Sequence, residues 1–254
     1  MGAMLPYSDL SNQIQAALDL PLPPISISFV ETIPAGVPRF EGAAPAGCVF
    51  WEQAAKGAFA TTAENHALCS IGIYTHNLAG APPHYESELK SVLGVMAGLD
   101  YVREQDVAAI PVLPKPVQYA IYAPLAQAPA PPHVVILFAN ARQSLPITEA
   151  LSQADGSIPP AMGRPACAAV PQALNSGRAA LSLGCCGARA YVGAFSDDVA
   201  MWALPASKID QYAERIAALA KANNIFSQFH NLRKADVEAG RKPTYAESLQ
   251  RLQS

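Results

Sequence analysis

The sequence predicts a mixed α/β (α+β) fold in a single compact unit, and three observations carry that prediction. Segments of strand periodicity alternate with segments of helical periodicity along most of the chain. A composition of 51% hydrophobic and 15% charged residues over 254 positions supplies a large core and a sparsely charged surface. The 23 prolines bracket the candidate strands, at Pro23-Pro24, Pro111, Pro114, Pro116 and Pro131-Pro132. A missing N–H is harmless there, at an edge or in a loop.

The elements follow in order. Residues 8–20 place Leu10, Ile14 and Leu18 at i, i+4 and i+8 behind a Ser8 cap, which predicts a helix. Ile25-Ser-Ile-Ser-Phe29 alternates strictly and predicts a strand with one wetter face. Val49 to Lys56 reads as a short helix stopped by Gly57. A helix is expected from Asn65 to Leu78, and another from Glu86 to Ala97, with Leu89, Val92, Leu93 and Met96 on one face and Gly98 at its end. Tyr119 to Tyr122 and His133 to Phe138 read as strands. The second is almost continuously apolar, as a sheet interior requires. Leu145 to Ala154 is a helix with Pro146 in its first turn. Ala179 to Leu183 and Ala200 to Leu204 are strands, and Lys208 to Ala222 is the clearest helix, striped by Ile209, Tyr212, Ile216 and Leu219. Residues 231–254 form a polar tail with a helix over 244–252, beyond a domain spanning 4–230.

A weak repeat runs through this order. Pro23-Pro24 leads into a strand ending at Phe29, and Pro131-Pro132 into one ending at Phe138. After each come a cysteine (Cys48, Cys167), a short helical stretch, a glycine 9 or 10 residues on (Gly57, Gly177) and a second cysteine (Cys69, Cys185). Gly72 and Tyr74 follow the first pair, Gly187 and Tyr191 the second. Read as a duplication, the halves span 20–125 and 126–222 and bring two thiols each to a site at their interface. Read as chance, the pattern reflects only a chain rich in Pro, Gly and Ala.

Charge narrows the function classes. A net charge of −3 with no Lys/Arg cluster gives no footprint for nucleic acid or a membrane surface. No uncharged apolar run approaches the ~18 residues of a membrane span. The first residues lack the basic and apolar regions of a signal peptide, and Gly2-Ala3 ahead of Met4 reads as a cloning remnant that puts the natural start at Met4. The expectation is a soluble, cytoplasmic protein whose thiols stay reduced. An odd number of cysteines, five, also fits a disulfide framework poorly. The sparse surface charge leaves room for a homodimer, a redox partner or a small-molecule ligand.

The cysteines carry the chemistry. Cys48, Cys69, Cys167 and Cys185 sit one per segment among small residues such as Gly47, Ala166, Ala168, Gly184 and Gly187. Four soft thiolates brought to one point suit a 4Fe–4S cluster, with backbone N–H groups close enough to tune it. Zinc or another single metal is the alternative, although closely spaced Cys-x-x-Cys pairs are absent. Without metal they are ordinary buried cysteines, which behave as small hydrophobes. Walker, dinucleotide-binding, His-Glu-x-x-His and Gly-x-Ser-x-Gly motifs are all missing.

The phrases around these cysteines, Gly-Cys-Val-Phe-Trp-Glu (47–52), Thr-Thr-Ala-Glu-Asn-His-Ala-Leu-Cys-Ser-Ile-Gly (61–72), Asn140-Ala-Arg-Gln143, Gly163-Arg164-Pro165-Ala166-Cys167-Ala168 and Ser182-Leu-Gly-Cys185 with Gly187-x-Arg189, resemble the DUF169 family. The resemblance covers residues from about 15 to 220 and implies no reaction. Its single cysteine in the Gly-Cys-x-Gly phrase matches Cys185, which implies that Cys186 is the extra thiol, although either remains a candidate ligand.

Four further residues complete the candidate site. His66 lies three residues before Cys69, on the same face if the segment is helical, and offers a ligand, a donor to sulfur or a proton donor. Glu64 precedes it as a second catalytic candidate, with helix capping its plainer role. Arg164 and Arg189 lie within four residues of site cysteines and would offset cluster charge or hold an anionic substrate. Pairing with carbonyls or acids is their structural alternative. Three functions stay open: a cluster-binding redox protein, a structural metal or sensing module, and a thiol enzyme with Cys69 or Cys185 as nucleophile and His66 as base.

Overall fold

The computed structural model describes residues 6–156 and 165–253. Helix α1 (Tyr7–Leu18) precedes strand β1 (Ile25–Val30), and α2 (Val49–Gln53) with a 3₁₀ turn precedes β2 (Phe59–Thr61). Helices α3 (Ser70–His76), α4 (Tyr85–Gly98) and α5 (Glu104–Val107) separate β2 from β3 (Tyr119–Pro124). Then β4 (Val134–Asn140) turns into α6 (Ala141–Asp155), and α7 (Ala169–Ser176) leads to β5 (Ala180–Ser182). Helix α8 (Cys186–Tyr191), β6 (Val199–Pro205), α9 (Ile209–Glu238) and α10 (Tyr245–Gln253) follow.

The strands form one six-stranded sheet of order β2-β3-β1-β4-β6-β5, with every neighbouring pair antiparallel. Helices cover both faces, so the fold is mixed α/β, as the alternating periodicities predicted. One core gathers Ile25, Ile27, Phe29, Tyr122, Ile136, Phe138 and Met201 beneath the cysteine-bearing segments. The other packs α1, α6 and α9 against Val135, Leu137, Trp202 and Leu204. The wetter face expected for β1 is therefore absent. Ser26 and Ser28 are both buried, donating to Ala123 O at 3.1 Å and Ala130 O at 3.4 Å, as polar groups under a helical layer must.

The two halves of the sheet share an order of central strand, cysteine, helix, edge strand, cysteine, helix and closing strand, with α6 added after the central strand of the second half alone. The register repeats as well. Phe29 stands opposite Ala120, which stands opposite Thr61; in the second half Phe138 stands opposite Met201, which stands opposite Ser182. Each closing strand ends in proline, Pro124 opposite Ile25 and Pro205 opposite Val134. The next residue then donates to the residue before the central strand, Leu125 N to Pro24 O at 2.7 Å and Ala206 N to His133 O at 3.0 Å. A second asymmetry lies between the second helix and the closing strand. Residues 77–118 with α4 and α5 fill that gap in the first half, against residues 192–198 in the second.

Several predicted elements change. No side chain caps α1, which starts after Pro6 ahead of Ser8. Asn140 and Gln143 form a reciprocal capping box, so α6 starts at Ala141 and carries Pro146 well inside it. Gln143 also donates to Asp19 O at 2.6 Å, fastening α6 to the end of α1. Helix α9 runs sixteen residues past the predicted end at Ala222, because its far half packs against α10 through Phe229 stacked on Tyr245 at 5.7 Å.

Candidate functional site

Each candidate thiol sits at the start of a helical segment. Cys48 precedes α2, Cys69 precedes α3, Cys167 lies in the 3₁₀ turn Ala166–Ala168 that runs into α7, and Cys185 precedes α8. The Cys185 sulfur accepts the Ala188 N–H at 3.4 Å, serving as the helix cap. In both halves one thiol comes before the edge strand and one after it, so the repeat delivers two thiols from each side.

All four thiols line one cavity of about 200 Å³, together with Cys186. Burial first, then Cys69 and Cys185, pushes the Cys48 thiol up to about 12. Cys167 is raised by burial and by Cys69, with smaller contributions from Cys185 and Cys48, while the Thr75 hydroxyl at 3.3 Å opposes the rise. Coulombic coupling weakens with distance, so the four share a small volume. Cys186 is exposed, with its sulfur 3.4 Å from the Tyr101 hydroxyl.

The rest of the wall is apolar, with Ile71 on one side and a roof of Leu93, Met96, Val102 and Ile110 from the first-half insertion. A wall of this kind offers water few of the polar partners it needs. It suits an occupant that takes sulfur donors. Among the described residues, no three His, Cys, Asp or Glu side chains are gathered into a site for a single metal ion. Zinc bonds of ~2.3 Å demand that tight gathering.

Behind this wall lie polar groups that have no partner. Thr61 donates its hydroxyl proton to Ala120 O at 3.2 Å, so the 3.4 Å bond to His66 runs from the imidazole Nε2–H to the hydroxyl oxygen. His66 Nδ1 is then a bare acceptor, buried and unpaired. An ideal Cβ on Gly72 would lie 3.0 Å from that nitrogen and 3.1 Å from Cys69 Sγ, so both atoms converge on one glycine. His76 gives its Nδ1–H to Gly72 O at 3.1 Å, which leaves Nε2 bare and unpaired. Burial, then His76, lowers His66 to about 3, and burial lowers His76 to about 4, against the pull of the Gly72 carbonyl. Both rings are neutral. The Tyr122 hydroxyl on β3 is also buried and unpaired, and burial followed by Cys167, Cys69 and Cys48 raises its pKa, which holds it protonated.

Against expectation, His66 and Cys69 do not share a helix. Residues 63–68 form turns closed by Cys69 N to His66 O at 2.7 Å, and α3 starts only at Ser70. The Asn65 side chain explains the break. It accepts from Thr62 N at 2.8 Å and donates to Phe40 O and Gly42 O, pinning the turn to a neighbouring loop. His66 therefore sits behind the cavity wall. Glu64 is exposed and away from the cavity wall, so the structure does not bring it to the thiols. Arg189 turns away too, donating to the carbonyls of Leu183, Phe195, Ser196 and Val199 and stacking 5.0 Å over Phe195. Arg164 lies outside the described residues.

Sequence reasoning missed His76, Tyr122 and the roof. His76 lies seven residues after Cys69, two turns along α3, and Tyr122 shares strand parity with Ala120. Both spacings were readable. The apolar face of α4 with Leu93 and Met96 was legible as a helical stripe, but nothing in the sequence placed it over the thiols, and α4 has no buried residue.

Residues 13–215 match the model of the family described as Uncharacterised ArCR, DUF169. The chain belongs to the DUF169 family. No curated protein and no solved structure gives a significant match. The DUF169 match contains all five cysteines, His66, His76 and Tyr122, and ends within α9. The α9–α10 hairpin of this DUF169 protein thus extends beyond it. Among the described residues, no helix is long and apolar enough to cross a membrane.

Proposed function

We propose that this DUF169 protein holds a 4Fe–4S cluster through Cys48, Cys69, Cys167 and Cys185 and works as a redox protein of the cytoplasm. The observation that carries the reading is the meeting of four thiols, from four separate segments, around one apolar cavity. When bound, such a cluster supplies one-electron transfer. The chain's own groups do the rest. The Ala188 N–H donates to the Cys185 sulfur, the Thr75 hydroxyl, shared with Ile71 O at 3.0 Å, lies 3.3 Å from the Cys167 sulfur, and the start of a helical segment lies beside each thiol. No Arg or Lys lines the cavity among the described residues. A buried cluster anion without a cation resists a further electron, which favours a low reduction potential. A redox partner or small-molecule ligand would complete the cycle.

A second reading rests on His66. Its bare Nδ1 and the Cys69 sulfur flank the same glycine, the arrangement a thiol enzyme would use for base and nucleophile. Anaerobic purification with metal analysis separates the two. A brown protein absorbing broadly near about 400 nm with roughly four irons per chain supports the cluster. Cys69→Ser should then lose the iron. Metal-free, colourless protein with one rapidly alkylated Cys69 would sink the cluster reading and support the enzyme.

A further inference from the structure

We propose that residues 80–111 form a lid that swings on a clamped stem and opens the thiol cavity to its occupant, whichever of the two functional readings holds. The stem is made from the two ends of the first-half insertion. Leu113 N donates to Thr75 O at 3.0 Å, Asn77 Nδ2 to Leu113 O at 3.0 Å, Val117 N to Asn77 O at 3.0 Å and Ala79 N to Val117 O at 2.9 Å. Leu78 and Leu113 are buried in the core, and Asn175 of α7 donates to Val112 O at 2.8 Å. The chain is thus fixed to the body where it enters and leaves the insertion.

The segment between is held differently. Among the described residues of 80–111, none is buried. Its hydrogen bonds close largely on itself: Tyr85 N to Pro82 O at 2.9 Å, Ser87 Oγ to His84 O at 2.7 Å, Tyr101 N to Met96 O at 2.9 Å, and the Arg103 guanidinium to Asp106 at 2.6 and 2.8 Å. Toward the body, α4 rests on α3, and the half-buried Leu93, Met96, Val102 and Ile110 cover the cavity. The Tyr101 hydroxyl meets the Cys186 sulfur of α8 at 3.4 Å. Gly94 inside α4 and Gly98 at its end weaken its helical preference. Gly80 stands where stem gives way to lid, at φ +71° and with open space where a Cβ would lie, as a hinge requires.

An element with few buried apolar contacts and self-contained hydrogen bonds opens at lower free energy than the sheet that carries it. The sheet does not depend on this one, since the second half spans the same step with residues 192–198. Opening separates half-buried side chains, leaves the stem and β3 in place, and uncovers Cys48, Cys69, Cys167 and Cys185 together. Closing returns an apolar wall between the thiols and solvent.

Hydrogen exchange and thiol alkylation on the metal-free, full-length protein test the lid together. Iodoacetamide reacts slowly, so its rate at a covered thiol scales with the open fraction. In wild type, the amides of 85–98 should exchange roughly a hundredfold faster than those of 134–139 in β4. The double variant Leu93→Ala/Met96→Ala trims the underside of the lid and leaves the stem intact. It should quicken exchange over 85–98 and alkylation of Cys48 and Cys167 by one common factor, roughly tenfold, with β4 exchange unchanged. Wild-type protection of 85–98 equal to that of β4 would overturn the proposal. So would alkylation that keeps pace with β4 exchange, because only global unfolding would then expose the thiols. A variant whose lid amides quicken with no change at the thiols would do the same, since the insertion would move without gating. The wild-type measurements decide the matter even where the variant fails to fold. Iron content is read separately, so failure of the cluster reading leaves each of these outcomes distinct.

Discussion

A methyl group on Gly47 would lie 2.7 Å from His66 Nδ1 and 2.9 Å from its Cε1, so the imidazole rests directly on the glycine Cα. The ring has no retreat, with Phe50 at a centroid distance of 4.7 Å and Nε2 held by Thr61. Gly47→Ala should destabilise the metal-free protein by about 1–3 kcal/mol, the cost of overpacking a filled core. His66→Ala should destabilise by about 2–4 kcal/mol, because a fully buried ring leaves a cavity. The double variant should cost less than the two together, since the cavity accepts the new methyl. Urea unfolding of all four proteins measures the coupling, and simple additivity would refute the contact.

Thiol reactivity should follow burial. Cys186 is exposed, whereas Cys48 is pushed up to about 12 and Cys167 is also raised. In metal-free protein near pH 8, iodoacetamide should modify Cys186 first and Cys48 and Cys167 last, as peptide mapping over time will show. A raised thiol stabilises the fold below its ordinary value of about 8.5 and loses that contribution as pH climbs toward the folded value. Metal-free stability should therefore fall from pH ~9 upward. Replacing Cys48 with Ala should flatten that limb.

The sequence predicted β1 and β4, the helix faces of α1 and α9, and the four segments that carry the thiols. Those signals are periodic or local, so they survive without knowledge of neighbours. Ser26 and Ser28 misled because alternation reports polarity, and a helical layer on the far face turns a polar row into a buried one. The helix from Asn65 failed for a different reason. Asn65 bonds to Phe40 and Gly42, more than twenty residues back, and that tertiary contact overrides local helical spacing. Arg189 looked like a site residue from its nearness to Cys185, yet its partners are the carbonyls of Leu183 before it and of Phe195, Ser196 and Val199 after it. Sequence distance placed it near the thiols but carried no direction.

Acid should weaken the metal-free fold through two histidines. His66 and His76 are held near about 3 and about 4, well below their ordinary 6.5. The unfolded chain takes up protons below 6.5 that the folded chain refuses, so their contribution is present above that value and is lost as pH falls toward 4. At about pH 5 the loss relative to neutral pH should be about 2 kcal/mol for each ring. Thermal midpoints from about pH 7.5 down to 4.5 will show the slope. His76→Phe should reduce it, and an unchanged slope would place these protons elsewhere.

Arg189 tests whether a residue beside the thiols serves the proposed cluster or the fold. Its guanidinium ties the carbonyls of Leu183, Phe195, Ser196 and Val199 into one loop and stacks on Phe195, with its charge away from the cavity. Gly184 belongs to the same knot. Its φ is +90°, and a Cβ there would sit 2.9 Å from the Phe195 ring and 3.0 Å from Arg189 Nε, so only glycine lets the chain pass. Arg189→Ala should cost about 2–3 kcal/mol, because several carbonyls lose a charged donor at once. Arg189→Lys should recover part of that but not all, since an ammonium lacks the planar fork. Reconstituted protein that still folds should keep the wild-type visible spectrum and a nearly unchanged reduction potential. A large shift in potential with stability preserved would mean that the guanidinium charge acts on the cluster, and would return Arg189 to the cofactor site.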